Sequence, residues 1–157
     1  MRRQAGFTLI EMLVTAAILA VLAGASIPLV KVSVQREREI ELRRGLRTMR
    51  EALDAYKRLA DEKKIEVEED TDGYPPTLDA LVEGVKVKGE GKDGKSGEKL
   101  VKFLRRIPID PMMNSKEWGL LSTQDAPDAT TWGEQNVFDV YTKSRRTALD
   151  GTKYRDW

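Results

Sequence analysis

The chain turns apolar near its start and stays so for longer than a helix of a small domain needs. From Met12 to Val30 no residue carries a charge. As a helix this run would rise about 28 Å, enough to cross a bilayer core. One carboxylate, Glu11, sits at its front end, where insertion scales charge on the order of 2.5–3.5 kcal/mol for an acid at mid-membrane. Arg2 and Arg3 precede it, with no acidic residue beside them. The positive-inside rule then keeps this end cytoplasmic and exports the remainder.

Beyond Lys31 the pattern becomes amphipathic. Leu42, Leu46, Met49, Leu53, Tyr56 and Ala60 alternate spacings of four and three, the period of one helix face. Glu39 with Arg43, and Asp54 with Arg58, are acid-before-base pairs one turn apart. No proline intervenes, so one helix is predicted from about Phe7 to about Lys64. Residues 7–30 form its membrane or filament-core part and 31–64 its amphipathic continuation. The stripe is most simply a packing face for the chain's own domain, with a coiled-coil seam as the competing reading. Gly24 and Pro28 mark a weak point: the N–H that proline lacks would have bonded the carbonyl of Gly24, itself a poor helix former. A kink or a hinge is expected there.

The rest, 65–157, reads as a small exported region with short strands. Residues 66–73 are an acidic, solvated loop. Tyr74-Pro75-Pro76 is extended, and Thr77 is placed to cap a short helix from Leu78 to about Glu83, stopped by Gly84. Gly84 to Gly97 reads as a mobile surface loop or an irregular hairpin. Glu98 to Arg105 reads as a short helix, and Ile107-Pro108-Ile109-Asp110-Pro111 as extended chain. Strands are expected at Trp118–Ser122 and Asn136–Thr142, with Val137, Asp139 and Tyr141 facing one way and Phe138, Val140 and Thr142 the other. The tail ends on Trp157, which is expected to dock on the domain. The fold class is α+β: a long N-terminal helix packed on a small antiparallel β-sheet.

Composition narrows the chemistry. Charged residues make up 34% of the 157, yet the net charge is only +1, so no field for nucleic acid is implied. Gly89 to Ser96 lacks the spacing of a phosphate loop. There is no cysteine and no histidine. That excludes disulfides, Ser-His-Asp and Cys-His catalysis, and the usual zinc sites.

Gly6-Phe7-Thr8-Leu9-Ile10-Glu11, after a basic leader and before an apolar helix, resembles the class III signal of type IV pilins and type II secretion pseudopilins. Within that group the chain resembles the major, G-type pseudopilins. Tyr74-Pro75-Pro76-Thr77-Leu78-Asp79-Ala80-Leu81-Val82 and Ile107-Pro108-Ile109-Asp110-Pro111 are similar to segments that precede their small sheet. The resemblance implies that residues 1–6 are a leader, cut between Gly6 and Phe7 by a prepilin peptidase that also methylates Phe7. It implies that Glu11 pairs with the N-terminal amine of a neighbouring subunit, and that the helix melts or stretches between Gly24 and Pro28 in a filament. Bottom-up, Glu11 lies one turn from Phe7 on the same side, and each charge in apolar surroundings needs a partner.

The function implied is a structural subunit of a periplasmic pseudopilus, not an enzyme. Its partners are further copies, other pseudopilins, the peptidase and an inner-membrane assembly platform. The alternatives are a type IV pilin, a minor or competence pseudopilin and, remotely, a membrane-anchored periplasmic enzyme with paired carboxylates. The G-type resemblance also raises calcium in the C-terminal loop region. Asp125, Asp128 and Asp139 are the candidate ligands, ahead of Asp150 and Asp156. The competing reading makes Asp125 and Asp128 turn residues and puts Asp139 on a strand face.

Overall fold

A computed structural model describes residues 6–90 and 96–157, without the side chains of residues 25–29, 69, 89, 90 and 96. Arg2, Arg3 and the rest of the leader up to residue 5, the loop tip 91–95 and the Pro28 side chain lie outside the described residues. The elements are α1 (Leu9–Asp61), a 3-10 turn (Glu69–Thr71), α2 (Asp79–Glu83), β1 (Val85–Glu90), β2 (Ser96–Val101), β3 (Gly119–Leu121), β4 (Asp139–Tyr141) and a last 3-10 turn (Tyr154–Asp156). The chain divides into two compact units, Met1–Glu37 and Arg38–Trp157.

In the first unit the backbone is helical through Gly24 and Pro28. The described side chains of its apolar run are exposed: Phe7 is 77%, Leu13 60% and Leu22 61% accessible. Among the described residues no helix is long and apolar enough to cross a membrane. The side chains of residues 25–29 fall within the apolar run and outside that set.

In the second unit, Leu42, Leu46, Met49, Leu53 and Tyr56 are all buried, and Ala60 packs against them half-buried. The stripe therefore meets the chain's own domain, through Leu81, Trp118, Val137, Val140 and Tyr154. Helix α1 stops where Lys63 takes a left-handed φ of 55°. Lys63 N–H then bonds the Ala60 carbonyl at 2.9 Å and Lys64 N–H the Leu59 carbonyl at 3.0 Å, a Schellman closure on a residue that is not glycine. Both members of the first charge pair on α1 also reach the C-terminal segment. Glu39 accepts from the Leu149 N–H (2.9 Å) and the Tyr154 hydroxyl (2.8 Å), while Arg43 reaches Asp150 at 3.3 Å.

Two further expectations are corrected. Glu98 to Arg105 is no helix: its first half is β2, paired antiparallel with β1 from Val85↔Val101 to Glu90↔Ser96. A stretch this short is marginal as a helix in isolation, and cross-strand pairing overrides its local preference. Lys86 reaches Glu98 diagonally across that hairpin at 3.1 Å. Nor does Thr77 cap α2. Leu78 is the cap residue, already at φ −64°, ψ −28°, with no side-chain hydrogen bond. Gly84 turns the chain into β1 at φ +88°, and a Cβ there would stand 2.6 Å from the Val101 carbonyl oxygen.

Among the described residues the antiparallel structure is two separate two-stranded sheets, β1–β2 and β3–β4. In the second, Gly119 pairs with Tyr141 and Leu121 with Asp139. The face alternation holds for Val140 and Thr142, which are buried, but fails before them. Val137 is buried, while Phe138 is exposed and stacks edge-on against Tyr74 at 5.2 Å. The reason is that β4 begins only at Asp139; upstream, Val137 N–H goes to the Pro75 carbonyl at 2.8 Å instead.

Asp110, from the Ile-Pro-x-Asp-Pro segment, is fully buried beneath β4. Its carboxylate accepts the Met112 N–H at 2.7 Å and the hydroxyl of buried Thr142. Asp110→Ala should strip partners from both, at about 1–3 kcal/mol for each buried group left unsatisfied. We expect the melting temperature of the soluble region to fall by several degrees. Thr142→Val, which loses only the hydroxyl, should cost less. An unchanged melting temperature for Asp110→Ala would refute this anchoring role.

Candidate functional site

The N-terminal signal forms a short, open structure. Thr8 precedes α1, and its hydroxyl accepts the Glu11 N–H at 3.3 Å while its carbonyl accepts the Met12 N–H at 3.1 Å. Thr8 thus caps the helix, a role with a sequence signal, Thr-x-x-Glu, that had passed unread. Glu11 lies in the first helical turn, where the helix dipole favours a carboxylate. Gly6, Phe7 and Glu11 are all exposed. A Cβ added at Gly6 would meet nothing within 4 Å, so nothing in the described residues demands glycine there. The same holds for Gly24.

Of the candidate calcium ligands, Asp128, Asp139 and Asp156 line one cleft, which Asp125 and Asp150 do not. Asp139 presents both oxygens to Arg50, at 2.7 and 3.1 Å. The same guanidinium donates to the Trp157 carbonyl at 2.7 Å and the Val140 carbonyl at 3.2 Å, tying α1, β4 and the tail together. Asp125 accepts backbone N–H groups from Ser122 at 2.8 Å and Gly133 at 3.1 Å, closing the loop between β3 and β4. A Cβ at Gly133 would collide with the Gln135 side chain and stand 2.8 Å from the Asp125 carboxylate. Asp128 and Asp156 line a cleft with Asp139, and Arg50, Lys153 and Arg155 line it too, so its three carboxylates are matched by three cations. Asp150 is engaged by Thr152 and Arg43. Among the described residues no three His, Cys, Asp or Glu side chains are grouped to hold a metal.

The backbone donors of Ser122 and then Gly133 hold the Asp125 carboxyl below its ordinary value of 3.8. A lowered folded value means that its stabilisation is full above the unfolded value and fades as pH falls through the folded one. Asp125→Asn should therefore flatten the acid side of the stability profile below about pH 4. Part of the slope should survive, because Asp150 is also lowered, chiefly by the Thr152 hydroxyl. Melting temperatures across pH 2–7, in calcium and then in chelator, check both points: the variant should lose slope, and calcium should shift neither protein. An acid profile identical to wild type would remove the clamp.

The tail docks as expected. Trp157 donates its ring N–H to Thr152 at 2.7 Å, stacks edge-on against Tyr154 at 5.1 Å and lies under the Arg43 guanidinium at 3.9 Å. Arg50 and Asp110, which organise this region, carry no spacing signal of their own. An arginine beside an apolar stripe reads as surface, and Asp110 lies in a segment that reads only as extended chain.

Residues 1–27 match the model of the prokaryotic N-terminal methylation motif. The chain is 30% identical over 147 residues to the type II secretion system core protein G of Pseudomonas aeruginosa, covering 89% of this chain and 82% of that one. It is also 30% identical over 116 residues to the protein of the same name from Aeromonas hydrophila, covering 72% and 71%. No solved structure matches. A methylation motif at the head, an α+β domain behind it and this similarity along most of the length agree, and the chain belongs to the type II secretion system core protein G family, the major pseudopilins.

Proposed function

We propose that the chain is a structural subunit of a periplasmic pseudopilus, made as a precursor, cut between Gly6 and Phe7, methylated on Phe7 and polymerised through its N-terminal helix. The observation that carries this is the first unit's exposed apolar surface. Phe7, Leu9, Ile10, Leu13, Leu19 and Val21 are each at least 60% accessible. A surface that apolar needs lipid or neighbouring helices to cover it. Before assembly lipid covers it, with the N-terminus cytoplasmic and Arg38–Trp157 periplasmic. After assembly the helices of other copies do.

No side chain performs chemistry in this reading. The prepilin peptidase acts on Gly6 and Phe7, an inner-membrane platform delivers subunits, and other pseudopilins extend the same helix packing. Glu11 supplies the one charge that docking must satisfy. Gly24 and Pro28 are where the helix yields when copies pack, since both defects fall on one hydrogen bond.

The test is to produce the full chain together with a type II assembly apparatus. Electron micrographs should show thin filaments labelled by an antibody to the domain, and their subunits should begin at methylated Phe7. Mature protein that stays dispersed in the membrane with the apparatus present would overturn the proposal.

A further inference from the structure

On the second unit, one face of α1 and the segment 103–109 enclose an open groove of about 640 Å³. Its floor carries Ile107 and Ile109, the latter 53% exposed. Its rim carries Arg44, Arg105, Arg106 and Lys116, all exposed and without an ion-pair or hydrogen-bond partner among the described residues, against one carboxylate, Glu41. Water covers the apolar floor poorly, and the excess of cations around it sets a positive field that favours an acidic occupant.

The chain also carries the complement. Glu66-Val67-Glu68 and Asp70 form an acidic loop with an apolar point, Val67, 40% exposed. Glu66 leans on Lys88 at 3.2 Å, but the Glu68 and Asp70 side chains have no such partner among the described residues. Among the described residues no ion pair joins this loop to the groove of its own chain. Lys57, beside the loop, and Gly45, in the groove wall, lie twelve residues apart on α1, about 18 Å along its axis.

We propose that the acidic loop around Val67 of one copy docks into the basic groove of the next. Glu68 and Asp70 then face Arg105 and Arg106 while Val67 covers Ile107 and Ile109. This rests on the pseudopilus reading and assigns it a contact between soluble regions. Because the two patches sit at different levels of one chain, the contact is heterologous. Repeated between parallel copies it propagates as an open helical filament rather than closing a dimer. Charge pairing also fixes which neighbour is accepted, since a mismatched register sets like charges together.

The chain has no cysteine, so introduced thiols report only the pair chosen. Full-length Asp70→Cys carrying a tag and untagged Arg106→Cys, co-produced with the assembly apparatus, should give a mixed-size dimer on mild oxidation. Arg105→Glu with Arg106→Glu should cut filament yield about tenfold, the effect of roughly 1.4 kcal/mol per contact. Adding Glu68→Arg and Asp70→Arg should restore most of it. Filaments with neither the mixed dimer nor sensitivity to charge reversal would end this proposal and leave the pseudopilus reading standing. Absence of wild-type filaments would end both. Charge reversal that swapping does not rescue, but that weakens pelleting with anionic phospholipid vesicles, would assign the groove to lipid and overturn the docking.

Discussion

Gly6→Val should stop maturation altogether. Cleavage needs the peptidase's reacting groups at about 3–3.5 Å from the Gly6 carbonyl, and a branched side chain on that residue stands in the way. The chain itself gives no reason for glycine at this position. A Cβ there would meet nothing within 4 Å, and the residue is exposed. The substitution therefore leaves the Arg38–Trp157 unit as it is, and any defect reports on processing rather than folding. The precursor should accumulate in the inner membrane with its leader attached, unmethylated, and no filaments should form. Intact-mass measurement of the membrane fraction decides it. Methylated Phe7 at the N-terminus of the variant in normal yield would mean that the cut is not where the motif places it.

How much of this was legible in the sequence differs along the chain. Helix α1 was plain because its signal is long and redundant: an uncharged run, then a stripe from Leu42 to Ala60 in one phase. The stripe also carried its own destination, since all its large residues are buried in the domain. The hairpin β1–β2 was legible only as an open alternative, and its second strand was misread as a helix. Glu98-Lys99-Leu100-Val101 has residues acceptable to both, and only the partner strand decides. Thr77 illustrates the same limit. A threonine before an apolar run is a good cap locally, but the chain enters α2 already helical at Leu78.

At the functional end, motif and geometry have different reach. In the proposed function the signal around Gly6 and Glu11 serves partners outside the chain, so it is written in residue types and is legible without a structure. The C-terminal region is the reverse. Asp125, Asp128 and Asp139 look equivalent as sequence, yet one clamps a loop through backbone N–H groups, one lines a cleft of mixed charge and one is held by Arg50. Which positive charge faces which carboxylate is set by the tertiary fold, and no spacing encodes it.

Glu11→Ala should separate insertion from assembly. Removing the charge should leave membrane insertion intact or improve it, by up to about 2.5–3.5 kcal/mol on insertion scales. The helix start should survive as well, because its cap is the Thr8 hydroxyl and carbonyl rather than the Glu11 carboxylate. Only the dipole interaction is lost there, about 0.3–1 kcal/mol. Filaments should nevertheless fall to few or none. In an apolar core the methylated amine of Phe7 on an incoming copy would be left without a counter-charge, which is far costlier than any loss within one chain. Glu11→Gln should behave like Glu11→Ala, since it keeps the shape and loses the charge. Thr8→Ala is the control: it removes the cap, at about 1 kcal/mol, and leaves the charge. The measurements are membrane fractionation, the mass of the mature N-terminus and filament counts in micrographs. If Thr8→Ala abolishes filaments as fully as Glu11→Ala while both proteins are processed and inserted, the decisive property is the integrity of the helix start. Charge pairing between copies would then have to be given up.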